Sequence, residues 1–141
     1  MPSEAHRWLV VWLARRLKRD GYCPMATDTD ESSKDLSTPP WRTPLVGHIR
    51  PDLIAVHRTS GAVAVCDAKT ANDLDNLHTQ MQLRAMLQLR DRAGRRLRIF
   101  LAFPRSAIVE ASRVILRLGL KDALRVSLVP VPDAMLLERI P

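Results

Sequence analysis

The feature that most constrains this chain is a pair of short apolar runs separated by four residues. Leu53–His57 and residues 62–66 are rich in β-branched and other apolar side chains, and residues 58–61 between them form an Arg-Thr-Ser-Gly turn sequence. This arrangement predicts a β-hairpin. Asp52 precedes the first run and Asp67 follows the second. The hairpin would therefore bring two carboxylates to the same end of neighbouring strands.

Whether these carboxylates share a face depends on the length of the turn. A two-residue loop at 59–60 places Asp52 directly opposite Asp67. A loop at 60–61 places Asp52 opposite Lys69, which shares a face with Asp67 because side chains along a strand alternate with period two. A three-residue loop would put Asp52 on the face opposite both other residues. Both even-length loops therefore predict one cluster of Asp52, Asp67 and Lys69.

The chemistry of such a cluster points to a bound cation. Two facing carboxylates repel each other, and a carboxylate at the end of an apolar strand is costly without a partner. A divalent cation removes that repulsion, and a neighbouring lysine can hold or deprotonate an attacking water. The structural alternative is a turn carboxylate at Asp52, after Pro51, together with an exposed cross-strand ion pair between Asp67 and Lys69. We favour the cation site.

Net charge favours a polyanionic partner. The 141 residues, which we interpret as a single domain, carry 22 Lys and Arg against 15 Asp and Glu, a net charge of +7. The excess is concentrated at residues 15–19 and 84–98. Solvated helix ends and a loop are the structural alternative for each cluster. The side chains predicted to contact nucleic acid are Arg84, Arg92, Arg95 and Arg96.

Hydrophobic periodicity and turn residues predict an α/β protein with the order α-β-β-β-α-β-α-β. A helix between the strand that ends near Lys69 and the strand at 97–103 would be a crossover, so these strands should be parallel. We expect a mobile, acidic and proline-rich loop at about 28–44. The predicted elements are a helix capped by Ser3 at 3–19, a strand at 22–27, the hairpin, a helix at 73–92, a strand at 97–103, a helix at 106–118, a strand at 125–131 and a terminal helix at 133–140.

Two segments carry a resemblance to a known family. They are Arg-Pro-Asp-Leu-Ile-Ala at 50–55 and Val-Ala-Val-Cys-Asp-Ala-Lys at 63–69. Together with the strand, hairpin, helix and strand around them, they resemble the PD-(D/E)xK nuclease superfamily over about residues 3–103. In outline the chain is nearest to Holliday-junction-resolvase and exonuclease-type members.

The resemblance implies a fold, a cofactor and a set of roles. The fold would be the restriction-endonuclease-like core, a mixed central β-sheet flanked by helices. Asp52 and Asp67 would bind Mg²⁺ or Mn²⁺, with the main-chain carbonyl of Ala68 as an added ligand. Lys69 would position the attacking water.

Two further residues follow from similar nucleases. Members of the family carry a glutamate on an N-terminal helix that completes the metal site, and Glu4, on the helix face of Trp8, is the candidate. The alternative is that Glu4 binds no metal and is an acidic residue in the first helical turn, where the helix dipole favours negative charge. Exonuclease-type members have a Gln-x-x-x-Tyr motif on the helix after the lysine, which Gln80 matches although Arg84 replaces the tyrosine. Gln82 is the other candidate for the glutamine of this motif, in a second register. For either glutamine the alternative is a solvent-facing position on the helix.

These features predict a metal-dependent nuclease that hydrolyses DNA, although RNA would suit the same chemistry. The chain has six aromatic residues and no helix-turn-helix signature, so we expect cleavage directed by nucleic-acid structure rather than base sequence. The rival prediction is a non-catalytic nucleic-acid-binding module on the same fold. Without an apolar run near membrane-spanning length or a signal pattern, we expect a cytoplasmic protein with reduced thiols at Cys23 and Cys66. A homodimer that pairs through the helix at 106–118 is also expected.

Overall fold

A five-stranded mixed β-sheet with the order β1-β2-β3-β4-β5 forms the centre of the protein. The computed structural model describes residues 3–28 and 50–137. The strands are β1 (Tyr22–Thr27), β2 (Leu53–His57), β3 (Val63–Ala68), β4 (Arg98–Pro104) and β5 (Val126–Val131). The helices are α1 (Glu4–Arg19), α2 (Ala71–Leu74), α3 (Leu77–Leu87), α4 (Ile108–Leu116), α5 (Leu120–Ala123) and α6 (Asp133–Leu137), with a 3₁₀ turn at Arg105–Ala107 before α4.

The sheet combines an antiparallel half with a parallel half. β1, β2 and β3 pair antiparallel, whereas β3, β4 and β5 pair parallel. One apolar cluster joins α1 to one face of the sheet, and a second joins α3 and α4 to the other. The α/β class and the parallel crossover between β3 and β4 are therefore confirmed. No helix within the described ranges is both long enough and apolar enough to cross a membrane.

The edge strands of the sheet each contain a proline. Pro24 lies in β1 opposite Ala55, and a bulge follows it at Met25. Pro130 lies in β5 opposite Phe103. Proline lacks an amide hydrogen and is therefore found mainly on edge strands and at bulges.

The hairpin has the register in which Asp52 faces Asp67. Leu53 pairs with Cys66, and the alignment continues without a shift along the two strands. The turn is longer than the predicted two-residue loop, because the His57 amide donates to the Ala62 carbonyl at 2.8 Å and closes a four-residue loop at 58–61. Its even length preserves the predicted register, since side-chain direction depends only on parity.

Helix α1 forms where the sequence predicted it. Ser3 is the N-cap, and its hydroxyl accepts a hydrogen bond from the amide of His6 at 3.1 Å. Leu9, Leu13 and Leu17 recur on one face and are fully buried against the sheet. The amphipathic spacing therefore fixes the rotation of α1 and turns His6, three residues before Leu9, toward the same side.

The single helix predicted at 73–92 is wrong in extent and in rotation. The chain forms α2 and α3 instead, because the side chain of Asn76 accepts a hydrogen bond from the Thr79 amide at 2.8 Å and starts a new helix. In the sequence, Leu77 and Met81 lie near helical spacing with Leu74 and Leu87, but their side chains are 70% and 60% exposed. Leu83, with Met86 and Leu87, faces the core instead.

The predicted helix at 106–118 also differs in its start. Ser106 lies inside the 3₁₀ turn and donates its hydroxyl to the carboxylate of Asp133, so it does not cap α4. In the helix proposed as a dimer contact, the exposed apolar side chains are Ile108, Val109 and Leu116, whereas Val114 and Ile115 are buried. All but the first residue of the predicted mobile loop at 28–44, and the end of the predicted terminal helix, lie outside the described residues.

Replacing Gly21 with alanine should destabilise the protein by about 2 kcal/mol, because the backbone is left-handed and a Cβ would clash. Gly21 has φ +95°, and a Cβ there would lie 2.8 Å from Nε2 of His57. That ring is held by Tyr22 and by the turn amides. Gly119→Ala is the matched control, with the same φ and no atom within 4 Å. Thermal unfolding of both variants measures the contact, and equal losses of stability would refute it.

Candidate active site

A polar cleft of about 440 Å³ opens where the end of β3 meets the start of β2 and the N-terminus of α1. It contains the predicted cluster, because the hairpin register brings Asp52 opposite Asp67 and the chain continues from β3 into Lys69. The residues that line the cleft are Ser3, His6, Asp28, Arg50, Asp52, Asp67, Ala68, Lys69, Thr70, Asn72, Asp73 and Gln82.

Asp52 is buried and held from several sides. Its Oδ2 accepts a hydrogen bond from the Ala68 amide at 2.8 Å and lies 3.2 Å from Nε2 of His6. Burial alone would raise the pKa of Asp52, but the hydrogen bonds from His6 and from the Asp67 carboxyl, with the charge of His6, hold it below its ordinary value. Asp52 is therefore the more acidic member of the facing pair.

Asp67 is the member of the pair whose ionised form is disfavoured by its surroundings. It is only 3% exposed, and its pKa is raised well above the ordinary value by burial and by the facing charge of Asp52. Its Oδ2 lies 3.4 Å from Nζ of Lys69 and accepts no hydrogen bond from any described residue. Two carboxyls in contact, one with an unsatisfied buried oxygen, form a site that a cation would stabilise.

Lys69 is anchored at both its main chain and its side chain. Its amide donates to the Ala102 carbonyl of β4 at 2.9 Å. Its Nζ donates to Oε1 of Gln82 at 2.5 Å, and the side chain is 13% exposed. The ammonium is thereby fixed beside Asp67 and faces the cleft.

Of the two glutamines, Gln82 lies at the site, whereas Gln80 does not line the cleft. The new helix start at Asn76 sets this rotation, because it places Leu83 and Met86 in the core and Gln82 on the side toward β3.

His6 is the member of the site that sequence reasoning missed. Its side chain is 18% exposed and contacts Asp52, and its Nδ1 is buried without a hydrogen-bond partner among the described residues. Burial lowers the pKa of His6, but the hydrogen bond and charge of Asp52 outweigh burial and raise it overall. The available signal was its position on α1, since His6 precedes the buried Leu9 and Leu13 by three and seven residues.

Glu4 does not take the position predicted for it. Its carboxylate binds the guanidinium of Arg7 and accepts a hydrogen bond from Trp8 Nε1 at 3.3 Å, and Glu4 does not line the cleft. The hydrogen bond from Arg7 is the largest influence on the pKa of Glu4 and lowers it. Residues three and four positions ahead on the same helix reach Glu4 directly. On α1, His6 is the residue that meets Asp52.

The predicted nucleic-acid contacts separate into different environments. Arg84 donates to the Arg117 carbonyl at 2.9 Å, so it links α3 to the end of α4. Arg95 pairs with Asp91 and donates to carbonyls of the hairpin turn. Arg92 and Arg96 are exposed. None of the four lines the cleft.

The donor set fits a hard divalent cation that keeps much of its water. The described residues contain no ready-made group of three or more His, Cys, Asp and Glu side chains arranged to hold a metal ion. Mg²⁺ often binds proteins through one or two carboxylates and fills its remaining positions with water or substrate oxygens. Asp52 and Asp67 supply that number of carboxylates, and Oδ2 of Asp67, which accepts no hydrogen bond from a described residue, is an oxygen that a cation can use.

Comparisons of the chain with protein-family models, with curated proteins and with solved structures gave no match.

Proposed function

We propose that this protein is a metal-dependent nuclease of the PD-(D/E)xK type that hydrolyses DNA phosphodiester bonds, and that its sheet is a restriction-endonuclease-like core. One observation carries the proposal: two buried carboxylates, Asp52 and Asp67, face each other beside the anchored ammonium of Lys69 in an open polar cleft. Two facing carboxylates raise the free energy of the folded protein unless a cation offsets their repulsion. A cation between them supports hydrolysis of an anionic ester.

In this proposal Asp52 and Asp67 hold Mg²⁺ or Mn²⁺, with the Ala68 carbonyl as a further oxygen ligand. The cation would supply Lewis-acid stabilisation of the charge that develops on the phosphate, and it would acidify the attacking water. His6 orients Asp52 through the contact of its Nε2 with Asp52 Oδ2 at 3.2 Å, and its side chain lines the same cleft. Lys69 holds the water and offsets negative charge on the scissile phosphate.

The rival function, a non-catalytic nucleic-acid-binding module, explains the net charge but leaves the cleft unexplained. A surface that only grips phosphates gains nothing from carboxylates that repel phosphates. The polar lining of the cleft also includes Asp28 and Asp73. Selection by nucleic-acid structure and a twofold dimer through the exposed apolar side chains of α4 remain part of the proposal.

The direct test is incubation of the purified protein with plasmid, linear and branched DNA in Mg²⁺ or Mn²⁺, with EDTA as the control. We expect cleavage that needs the cation and differs among the three substrates. Discrete fragments from one short motif in unrelated plasmids would identify a base-sequence reader instead. Absence of turnover on every substrate, together with no calorimetric binding of either cation, would favour the rival function.

Replacing Gln82 with leucine should slow cleavage about tenfold, because Lys69 would lose the partner that orients it. The loss should fall on kcat rather than KM, since Gln82 acts through Lys69. Gln80→Leu is the matched control, since Gln80 lies on the same helix, α3, but does not line the cleft. Single-turnover and steady-state kinetics compare the two, and equal rates for both variants would remove Gln82 from the mechanism.

A further inference from the structure

The basic residues around Arg96 lie at the end of the sheet remote from the cleft. Arg96 precedes β4 and pairs with Arg90 through an isolated antiparallel bridge. Asp67 lies beside Leu101, toward the other end of β4. At the rise of an extended chain, about 3.3 Å per residue, the two regions are about 15–20 Å apart. These arginines therefore cannot belong to the immediate surroundings of the carboxylate pair.

Arg125, immediately before β5, contributes a partly exposed guanidinium to this remote end. Its Nη1 donates to the Leu87 carbonyl at 3.2 Å and lies 3.8 Å from the carboxylate of Asp122. Its Nη2 is buried and has no hydrogen-bond partner among the described residues. Among the described residues, Asp122 is the one acid that forms an ion pair with Arg125.

Two more arginines lie at the same end of the sheet as Arg125. β4 and β5 run parallel with Ile99 beside Val126, so Arg96, two residues before β4, lies near the start of β5, and Arg90 is bridged to Arg96. The pKa of Arg125 is lowered first by burial and then by the charges of Arg96 and Arg90, and only Asp122 opposes these effects. Arg96 and Arg90 are exposed, and neither forms an ion pair with a described residue. Arg95, their neighbour in sequence, differs because Asp91 neutralises it at 2.9 Å. The three positive charges of Arg90, Arg96 and Arg125 therefore have one ion-pair partner among the described residues, Asp122, whose carboxylate lies 3.8 Å from Arg125.

We propose that Arg90, Arg96 and Arg125 form a binding site for the phosphate backbone of a nucleic acid, separate from the cleft. Guanidiniums bind phosphate oxygens through paired N–H donors, and bound phosphates would offset the repulsion among the three positive charges. The exposed Arg92 and Arg98 extend the positive charge along the same end. An array of this kind suits successive phosphates on a polymer better than one small anion.

The inference rests on the proposed function for its choice of ligand, but it does not require the cleft to cleave. Phosphates along one strand recur about every 3.4 Å, so a separation of 15–20 Å corresponds to about five nucleotides. A substrate held at the remote arginines could therefore reach the carboxylate pair with the same strand. The arginine site would position the backbone, and the cleft would act several nucleotides away.

The test measures binding of a labelled DNA duplex in EDTA, where no cation-dependent cleavage occurs. Arg96→Gln should weaken binding about tenfold and reduce the slope of log affinity against log salt by about one, because one phosphate contact is lost. Arg90→Gln should act in the same direction. Arg113→Gln is the matched control, since Arg113 is exposed on α4, 3.9 Å from Asp75, and its loss changes net charge equally.

An equal effect of Arg96→Gln and Arg113→Gln, or full binding by the Arg90→Gln/Arg96→Gln double variant, would overturn the site. Displacement of the duplex by inorganic phosphate far beyond that by chloride at equal ionic strength would also overturn it, in favour of a small anion. Normal binding by the wild type without cleavage in Mg²⁺ would contradict the nuclease and leave this site standing. Cleavage in Mg²⁺ by the wild type, with unaltered DNA binding by the Arg90→Gln and Arg96→Gln variants, would support the nuclease and contradict this site.

Discussion

Replacing Asp67 with asparagine should abolish cation-dependent cleavage and, in the same molecule, raise the stability of the metal-free protein. Asparagine keeps the shape of the carboxyl but removes the charge that faces Asp52. We expect a loss of at least about 10³-fold in rate, since the cation would lose one of two carboxylates. We expect a gain of about 1–2 kcal/mol in unfolding free energy in EDTA, because the repulsion across the hairpin disappears.

The gain in stability should depend on pH with a definite sign. Folding raises the pKa of Asp67, so the folded protein keeps a proton that the unfolded chain releases above its ordinary pKa. The wild type therefore loses stability as pH rises from that ordinary value toward the folded pKa. The advantage of Asp67→Asn should be small near pH 3 and larger at pH 7. Thermal unfolding of both proteins at pH 3 and pH 7 measures this advantage, and calorimetry with Mg²⁺ measures the loss of cation binding. Cation-dependent cleavage by the Asp67→Asn protein would refute the role of Asp67.

Replacing Lys69 with methionine should separate catalysis from cation binding. Methionine keeps most of the length and apolar stem of the side chain, so the packing beside Gln82 should be largely preserved. The ammonium that holds the water would be lost, and we expect cleavage to fall by about 10²–10⁴-fold. Cation binding by calorimetry should persist, because the carboxylates remain.

Lys121→Met is the matched control for Lys69→Met, since Lys121 is exposed on α5 and its loss changes the net charge equally. Loss of folding in the Lys69 variant would be visible as a lowered thermal midpoint and would be separated from loss of chemistry in that way. Unchanged cleavage by a folded Lys69→Met protein would show that a group other than Lys69 holds the attacking water.

The hairpin was predictable from sequence because strand side chains alternate strictly. Parity alone fixed the face of Asp52 relative to Asp67, so an error in loop length left the register intact. Helical rotation is less constrained. Leu77 and Met81 fitted a helical stripe, but the Asn76 cap restarted the helix and turned both outward. A local side-chain hydrogen bond thus overrode the apolar pattern.

The remaining members of the site depend on tertiary contacts. His6 meets Asp52 across 46 positions of sequence, and the packing of α1 on the sheet decides that contact. Glu4 was chosen by resemblance, yet Arg7 and Trp8 reach it within one helical turn. The arginines form one group in the sequence, but Asp91 neutralises Arg95, while Arg96 is exposed and forms no ion pair with any described residue. Counting charges along the sequence does not show which arginine pairs with which carboxylate in the folded protein.

The prolines on the two edge strands restrict how copies of this protein can assemble. An open sheet edge offers a row of main-chain donors and acceptors to which another strand can add. Pro24 and the bulge at Met25 interrupt that row on β1, and Pro130 interrupts it on β5. Both edges therefore resist a continuous sheet shared between two molecules and resist strand-by-strand aggregation. We therefore expect a dimer of this chain to join through surfaces other than its sheet edges, such as α4, so that the two sheets and the clefts at their ends would stay separate.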